Sequence, residues 1–221
     1  ASDVYKRQVQ SWPYKFFEDD KVNMQNHQLA DSSWGEKLRA SFGMTIIALG
    51  LCGFVYSAAA TSLGQMLFPK QANGSLIVEN NQVIGSRLVA QPFAQVQYFH
   101  PRPSAANYDP MAMAGSNMAR TNPELQKAIE ERLNRIAAKE QIEKSKIPAD
   151  LVTASGSGID PEISVQSAMI QVKRIAHARH MPEQNVEKLI QSHTVQPIFG
   201  ILGQARINVL ELNLALDRGG K

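Results

Sequence analysis

The hydrophobic positions along the chain fall into two regimes. From Ala40 to Pro69 no charged residue interrupts the sequence, and the apolar density peaks between Phe42 and Leu63 (FGMTIIALGLCGFVYSAAATSL). As a helix, this stretch reaches about 45 Å at about 1.5 Å per residue, longer than the about 30 Å of a bilayer's hydrocarbon core. The pattern predicts one membrane-spanning helix with its exit over residues 40–68. It begins about 40 residues in and is long for a signal peptide, so it reads as a retained anchor. Gly53 and Ser57 stand four apart, a spacing that lets a second helix approach closely; small residues are also simply common in such helices.

Past Lys70 the periodicities shorten and alternate in kind. SLIV (75–78), SRLVA (86–90) and QVQYF (95–99) are rich in β-branched and aromatic residues and read as strands or extended segments. Thr121 with Glu124 fits a capping box ahead of Pro123, and Leu125, Ile129, Leu133 and Ile136 mark one apolar helix face. Ser164 caps a second expected helix, with Val165, Ala168, Met169, Val172, Ile175 and Ala176 inward. Pro182 opens a third, with Val186, Leu189 and Ile190 inward. RINVLELNLAL (206–216) fits either a strand at its start or a helix throughout. The class is an α+β soluble domain, residues 69–221, preceded by a single transmembrane helix. Residues 1–39 carry six acidic and six basic side chains and few apolar runs, and read as a disordered tail. The final RGGK reads as a frayed end.

Charge changes this picture little. A formal net charge of +3 over 221 residues, spread without a basic cluster, gives no nucleic-acid footprint. The one cysteine, Cys52, excludes an internal disulfide and a cysteine-based zinc site. Lys37 and Arg39 before the span, against Lys70 and then Arg87 after it, lean toward a cytoplasmic N-terminus and a domain outside the cytoplasm. There is no GxxxxGK[ST] phosphate loop, no Asp-Lys-Thr-Gly phosphate acceptor, no GxSxG elbow and no HExxH. His177 and His180 lack an evident third metal ligand, and imidazolium is in any case favoured at a helix C-terminus. No catalytic or metal residue is assigned. Asn73-Gly74 reads as a turn.

Three segments are unlike ordinary loops. In YFHPRPSAANYDP (98–110), prolines stiffen the chain around Arg102. The loop is either a rigid structural element or an arm presenting His100, Arg102, Ser104 and Tyr108 to a partner's carboxylate or phosphate. In GSNMARTNP (115–123), Ser116 and Asn117 precede a helix start, where they either contact an anion or cap the helix. In PADLVTASGSGIDPEIS (148–164), Thr153, Ser155, Gly156, Ser157 and Gly158 offer hydroxyls and amides, and Asp160 precedes Pro161 and an expected helix start. That segment is either a phosphate or nucleotide contact or a tight turn docking two helices. These loops also leave open a membrane-tethered periplasmic anion-binding module.

The strings QMLFPKQANGSLI (65–77), YFHPRPSA (98–105), PADLVTASGSGIDPEIS (148–164) and RINVLELNLALD (206–217), in this order behind one span, closely resemble the C subunit of the Kdp potassium-transporting ATPase. The resemblance covers about residues 38–217. It implies a non-catalytic subunit of an inner-membrane complex, with three partners: a channel-like potassium-binding subunit, a P-type ATPase subunit and a small helical subunit. It implies no cofactor of the chain's own; ATP and potassium are handled by the complex. It further implies a catalytic chaperone that raises the ATPase subunit's affinity for ATP, with Ser155 to Gly158 as the nucleotide contact. The family's usual topology puts the domain outside, where any effect on ATP affinity is allosteric. The span lacks the proline expected near its middle, and residues 1–39 have no role implied by the resemblance.

Overall fold

The structure, a computed structural model, describes residues 33–219; the tail reading for residues 1–32 and the end of the RGGK reading lie outside the described residues. The chain divides into two compact units, Ala1–Leu63 and Gly64–Lys221, each taken here by itself.

The helix expected from Ala40 begins earlier. Ser33 caps it by accepting from the Glu36 amide, and the Glu36 carboxylate accepts from the Ser33 amide at 3.0 Å. This reciprocal box, legible as Ser-x-x-Glu, satisfies two of the orphan donors of a helix start. Helix α1 (Trp34–Ala48) continues through a π-helical segment, Leu49–Val55, into α2 (Tyr56–Leu67). In the wide turn the Tyr56 amide donates to the Leu51 carbonyl, and Ser57 Oγ donates to the Cys52 carbonyl at 3.5 Å. Gly50 and Gly53 lie inside it, and local irregularity thus arises without the missing proline. Trp34–Leu67 is 34 residues long with a mean hydropathy of 1.8, and is the described helix long and apolar enough to cross a membrane. None of its residues is buried, as suits a span whose neighbours are lipid or other helices.

In the second unit, short helix α3 (Pro69–Ala72) ends in the expected Asn73-Gly74 turn, with Gly74 at φ +80°. Strands β1 (Leu76–Glu79) and β2 (Gln82–Ser86) form an antiparallel hairpin. Its two-residue turn places Asn80 and Asn81 at φ 49° and 65°, the pair of positive values that matches strand twist. The expected strand SRLVA is therefore displaced: only Ser86 is in a strand, because the Asn-Asn turn fixes the return strand at 82–86.

Helix α4 (Pro123–Glu140) starts one residue later than the Thr121 box requires. Asn122 is the cap and accepts from the Glu124 amide at 2.9 Å; its short amide side chain reaches the first turn and supplants Thr121. Strand β3 (Glu162–Ser164) then leads into α5 (Val165–Met169), α6 (Val172–Arg179) and α7 (Glu183–Ser192), followed by β4 (Thr194–Val195), β5 (Arg206–Asn208) and α8 (Val209–Gly219). The expected second helix is split between α5 and α6, with Ser164 as its cap. Met169 at that break is exposed rather than inward. The ambiguous RINVLELNLAL resolves as a strand followed by a helix. Strands β3 and β4 flank β5, both antiparallel, with Ile163 and Thr194 opposite Ile207. The core gathers on these elements: Ile163, Ile175, Val186, Ile190, Ile207, Leu212 and Leu216 are fully or almost fully buried, and Leu189 is partly buried against them.

Candidate functional site

The site is built around residues 96–104, a run that opens in a turn and joins no sheet. Its backbone groups would be costly if buried without partners, and side chains supply them. The buried Asn213 of α8 accepts from the Phe99 amide at 2.8 Å and donates to the Phe99 carbonyl at 3.0 Å, as a neighbouring strand would. Gln171, also buried, treats His100 the same way, at 2.8 and 3.3 Å. Arg174 donates to the carbonyls of Val96 and Tyr98, to Gln171 Oε1, and through Nε to both Glu140 oxygens at 2.9 and 3.1 Å. Arg179 donates to the Gln97 carbonyl and pairs with Asp217 at 2.6 Å. The expected extended segment QVQYF is instead a turn about Val96 and Gln97, closed by the Tyr98 amide donating to the Gln95 carbonyl at 3.3 Å, and amide and guanidinium side chains satisfy its other backbone groups.

The three unusual sequence segments meet here. Arg102 pairs with Asp160 at 2.9 Å. Asp160 also accepts from the Glu162 amide at 3.0 Å. It therefore leads into strand β3 and not into the expected helix start. Ser104 Oγ donates to the Gly158 carbonyl at 2.6 Å and accepts from the Ala106 and Tyr108 amides at 3.0 and 2.9 Å. Tyr108 sits at φ 60°, a strained setting for an aromatic residue, and its hydroxyl donates to the Arg102 carbonyl at 2.8 Å. The Ser155 amide donates to the Pro103 carbonyl at 3.1 Å. Gly115 lies on the Gly156 backbone, where an added Cβ would come within 3.0 Å of the carbonyl oxygen. Gly158 is required twice: its φ is +75°, and an added Cβ would lie 2.7 Å from the Ala114 carbonyl oxygen.

Not every candidate converges. Thr153 Oγ1 donates within its own turn to Ala149, at 2.8 Å. Ser155 and Gly158 are buried, whereas Gly156 and Ser157 are exposed. Ser157 Oγ accepts from the Ile159 amide at 3.2 Å. Ser116 and Asn117 lie upstream of the helix end that Asn122 caps. His177 and His180 lie at the end of α6, and the described residues contain no cluster of three metal-ligating side chains.

The electrostatics sharpen at His100. Lys139 Nζ lies 2.9 Å from His100 Nε2. Burial, then the charges of Lys139 and Arg174, lower the His100 pKa from 6.5 to about 4, against the pull of a hydrogen bond to the Gln95 backbone. The ring is therefore neutral at pH 7, and its Nε2 accepts from the Lys139 ammonium. Burial and then Arg174 also lower the Lys139 pKa, with Glu140 opposing. Burial raises that of Tyr108, against Arg135 and Arg132.

Several residues of this arrangement escaped the sequence reading. Asp150 accepts from the Ser164 amide at 2.8 Å and from Ser167 Oγ at 2.6 Å, tying the start of α5 to the 148–164 segment. Gln171, Arg174 and Asn213 are long-range partners of residues 96–100. Polar residues inside otherwise apolar helix faces, as at Asn213 within VLELNLAL, are the signal that could have found them.

A model of the family described as K+-transporting ATPase, c chain, matches residues 38–218. The chain belongs to this family. Its relatives include the Potassium-transporting ATPase KdpC subunits of Xanthomonas campestris pv. campestris (53% identical, covering 83% of this chain and 88% of the relative) and of Acidobacterium capsulatum (50%, covering 82% and 97%). That of Shewanella putrefaciens is 46% identical over 83% of this chain and 90% of its own length. The match to the C-chain family spans both the apolar helix and the domain that carries the site.

Proposed function

We propose that the chain is a non-catalytic accessory subunit of a potassium-pumping ATPase, stabilising the complex and raising the ATP affinity of its ATPase subunit. The partners are the channel-like potassium-binding subunit, the P-type ATPase subunit and the small helical subunit. The observation that carries this reading is the tip between β4 and β5. Ile198, Phe199, Ile201 and Leu202 are 58%, 90%, 82% and 62% exposed, although the Ile198–Leu202 bridge fixes their backbone. No charged residue lies between His193 and Arg206. A neutral, exposed apolar loop is a protein-docking feature, and family membership supports another pump subunit as its occupant.

The span anchors the chain in the cell inner membrane with its N-terminus cytoplasmic, and the domain lies outside. Any effect on ATP then runs through the pump's conformational equilibrium and not through contact with residues 155–158. That Ser155 is buried and bonded to Pro103 supports this. The test is labelling of a C52S/S192C chain in intact, outer-membrane-permeabilised cells with a membrane-impermeant maleimide. Labelling without lysis is expected. Labelling only after lysis would put the domain in the cytoplasm and overturn the allosteric reading. The accessory role is checked by deletion: high-affinity potassium uptake is lost, while the purified chain hydrolyses no ATP.

A further inference from the structure

A cleft of about 240 Å³ opens between α4 and residues 92–108. Its floor is apolar, made by Phe93, Pro101, Pro103, Ile136 and Leu151. Its polar wall carries two cations beside one carboxylate and the neutral groups of His100, Tyr108 and Gln171. Arg135 and Lys139, one helical turn apart on α4, line it together with Glu140 and His100. The Glu140 carboxylate is 5% exposed and engaged on both oxygens by Arg174. Its nearest cation is thus Arg174, and no salt bridge joins it to Lys139 or Arg135. Among the described residues, Lys139 and Arg135 have no carboxylate within salt-bridge distance. Lys139 spends one N–H on His100 Nε2 and keeps two. The other charge close by, Arg132, donates to the Val152 carbonyl at 2.9 Å. Two cations at the mouth of an apolar cleft, with the one lining carboxylate paired to a third cation, Arg174, leave an excess of positive charge there.

The geometry points to a binding site for a carboxylate on a short apolar stem, its oxygens on Lys139 and Arg135 and its stem on the Pro101–Pro103–Ile136 floor. A planar two-oxygen acid suits a guanidinium beside an ammonium. The cleft is below the about 300–1,000 Å³ typical of cofactor-sized ligands, which suits a small acid. Inorganic phosphate supplies the charge without the stem and leaves the floor uncovered. The acid comes either from a free small molecule or from an acidic side chain of another pump subunit.

The experiment uses the full chain in detergent, titrated with butyrate and followed by the His100 ring resonances and by calorimetry. Butanol supplies the stem alone and inorganic phosphate the charge alone. Butyrate is expected to shift His100 with a Kd of about 1–10 mM, in line with the affinity a six-heavy-atom ligand attains. Arg135→Gln, at an exposed rim position, and Lys139→Gln each weaken binding about tenfold or more. No butyrate shift at tens of mM, equal binding of phosphate, or indifference to Arg135→Gln would each overturn the site. Repeating the titration on the assembled complex separates the two sources, and either result supports the site. Unchanged affinity there assigns a free acid. Loss of affinity, with a carbodiimide crosslink from Lys139 to another subunit, assigns a partner's side chain.

Discussion

Two stretches of the domain lack regular secondary structure yet solve opposite problems. Residues 96–104 are wrapped by their own domain: Asn213, Gln171, Arg174 and Arg179 satisfy their backbone, and Phe99 is fully buried. Residues 197–203 are held by a local bridge and turn their side chains outward, with Phe199 90% exposed. The first is stabilised by contacts already present. The second leaves its apolar side chains exposed. Loops rich in polar motifs are thus the interior scaffold here, and a bland apolar loop is the exposed one.

The sharpest way to break the comparison is Arg174→Met. It orphans the Glu140 carboxylate and the carbonyls of Val96 and Tyr98, so the domain loses about 3–5 kcal/mol, read by denaturant unfolding. Next comes Gly158→Ala, which forces a Cβ against Ala114 and Ala106 at positive φ and costs about 1–3 kcal/mol. A third effect depends on pH. The His100 pKa is lowered from 6.5 to about 4 by burial and its cationic neighbours. Between those values the unfolded chain binds the extra proton more readily, so stability falls as pH drops from 6.5 toward 4. His100→Gln should flatten that slope, and unfolding midpoints at pH 7, 6, 5 and 4 check it. The smallest effect on stability is Phe199→Ser with Ile201→Ser, within about 0.5 kcal/mol of the parent. Copurification with the other pump subunits should nevertheless be lost. A stable double variant that assembles normally would erase the distinction between the two loops.

Local signals in the sequence carried the regular elements well and the site poorly. Ser164 and Pro182 announced their helix starts, and the uncharged run announced the span, because caps and hydropathy act within a few residues. The Ser33–Glu36 box and the Asn80-Asn81 turn are equally local, but they are written in cap and turn chemistry and not in apolar runs. The partners of Phe99 and His100 lie 114 and 71 residues away in Asn213 and Gln171. No spacing rule reaches that far. Arg102 illustrates the limit: the sequence shows a stiffened cation, and only the fold shows Asp160 opposite it.

The wide turn at Leu49–Val55 fixes the phase of the helix on either side of it. Each residue of an α-helix advances the surface by about 100°, whereas a π-bulge absorbs an extra residue while both flanks keep their stripes in place. Removing one residue within 49–55 should therefore leave the faces before and after it aligned with their neighbours. The same deletion made among residues 57–63 would rotate one half of the span against the other. Two deletions of equal size, a few residues apart, would then differ in whether the pump assembles.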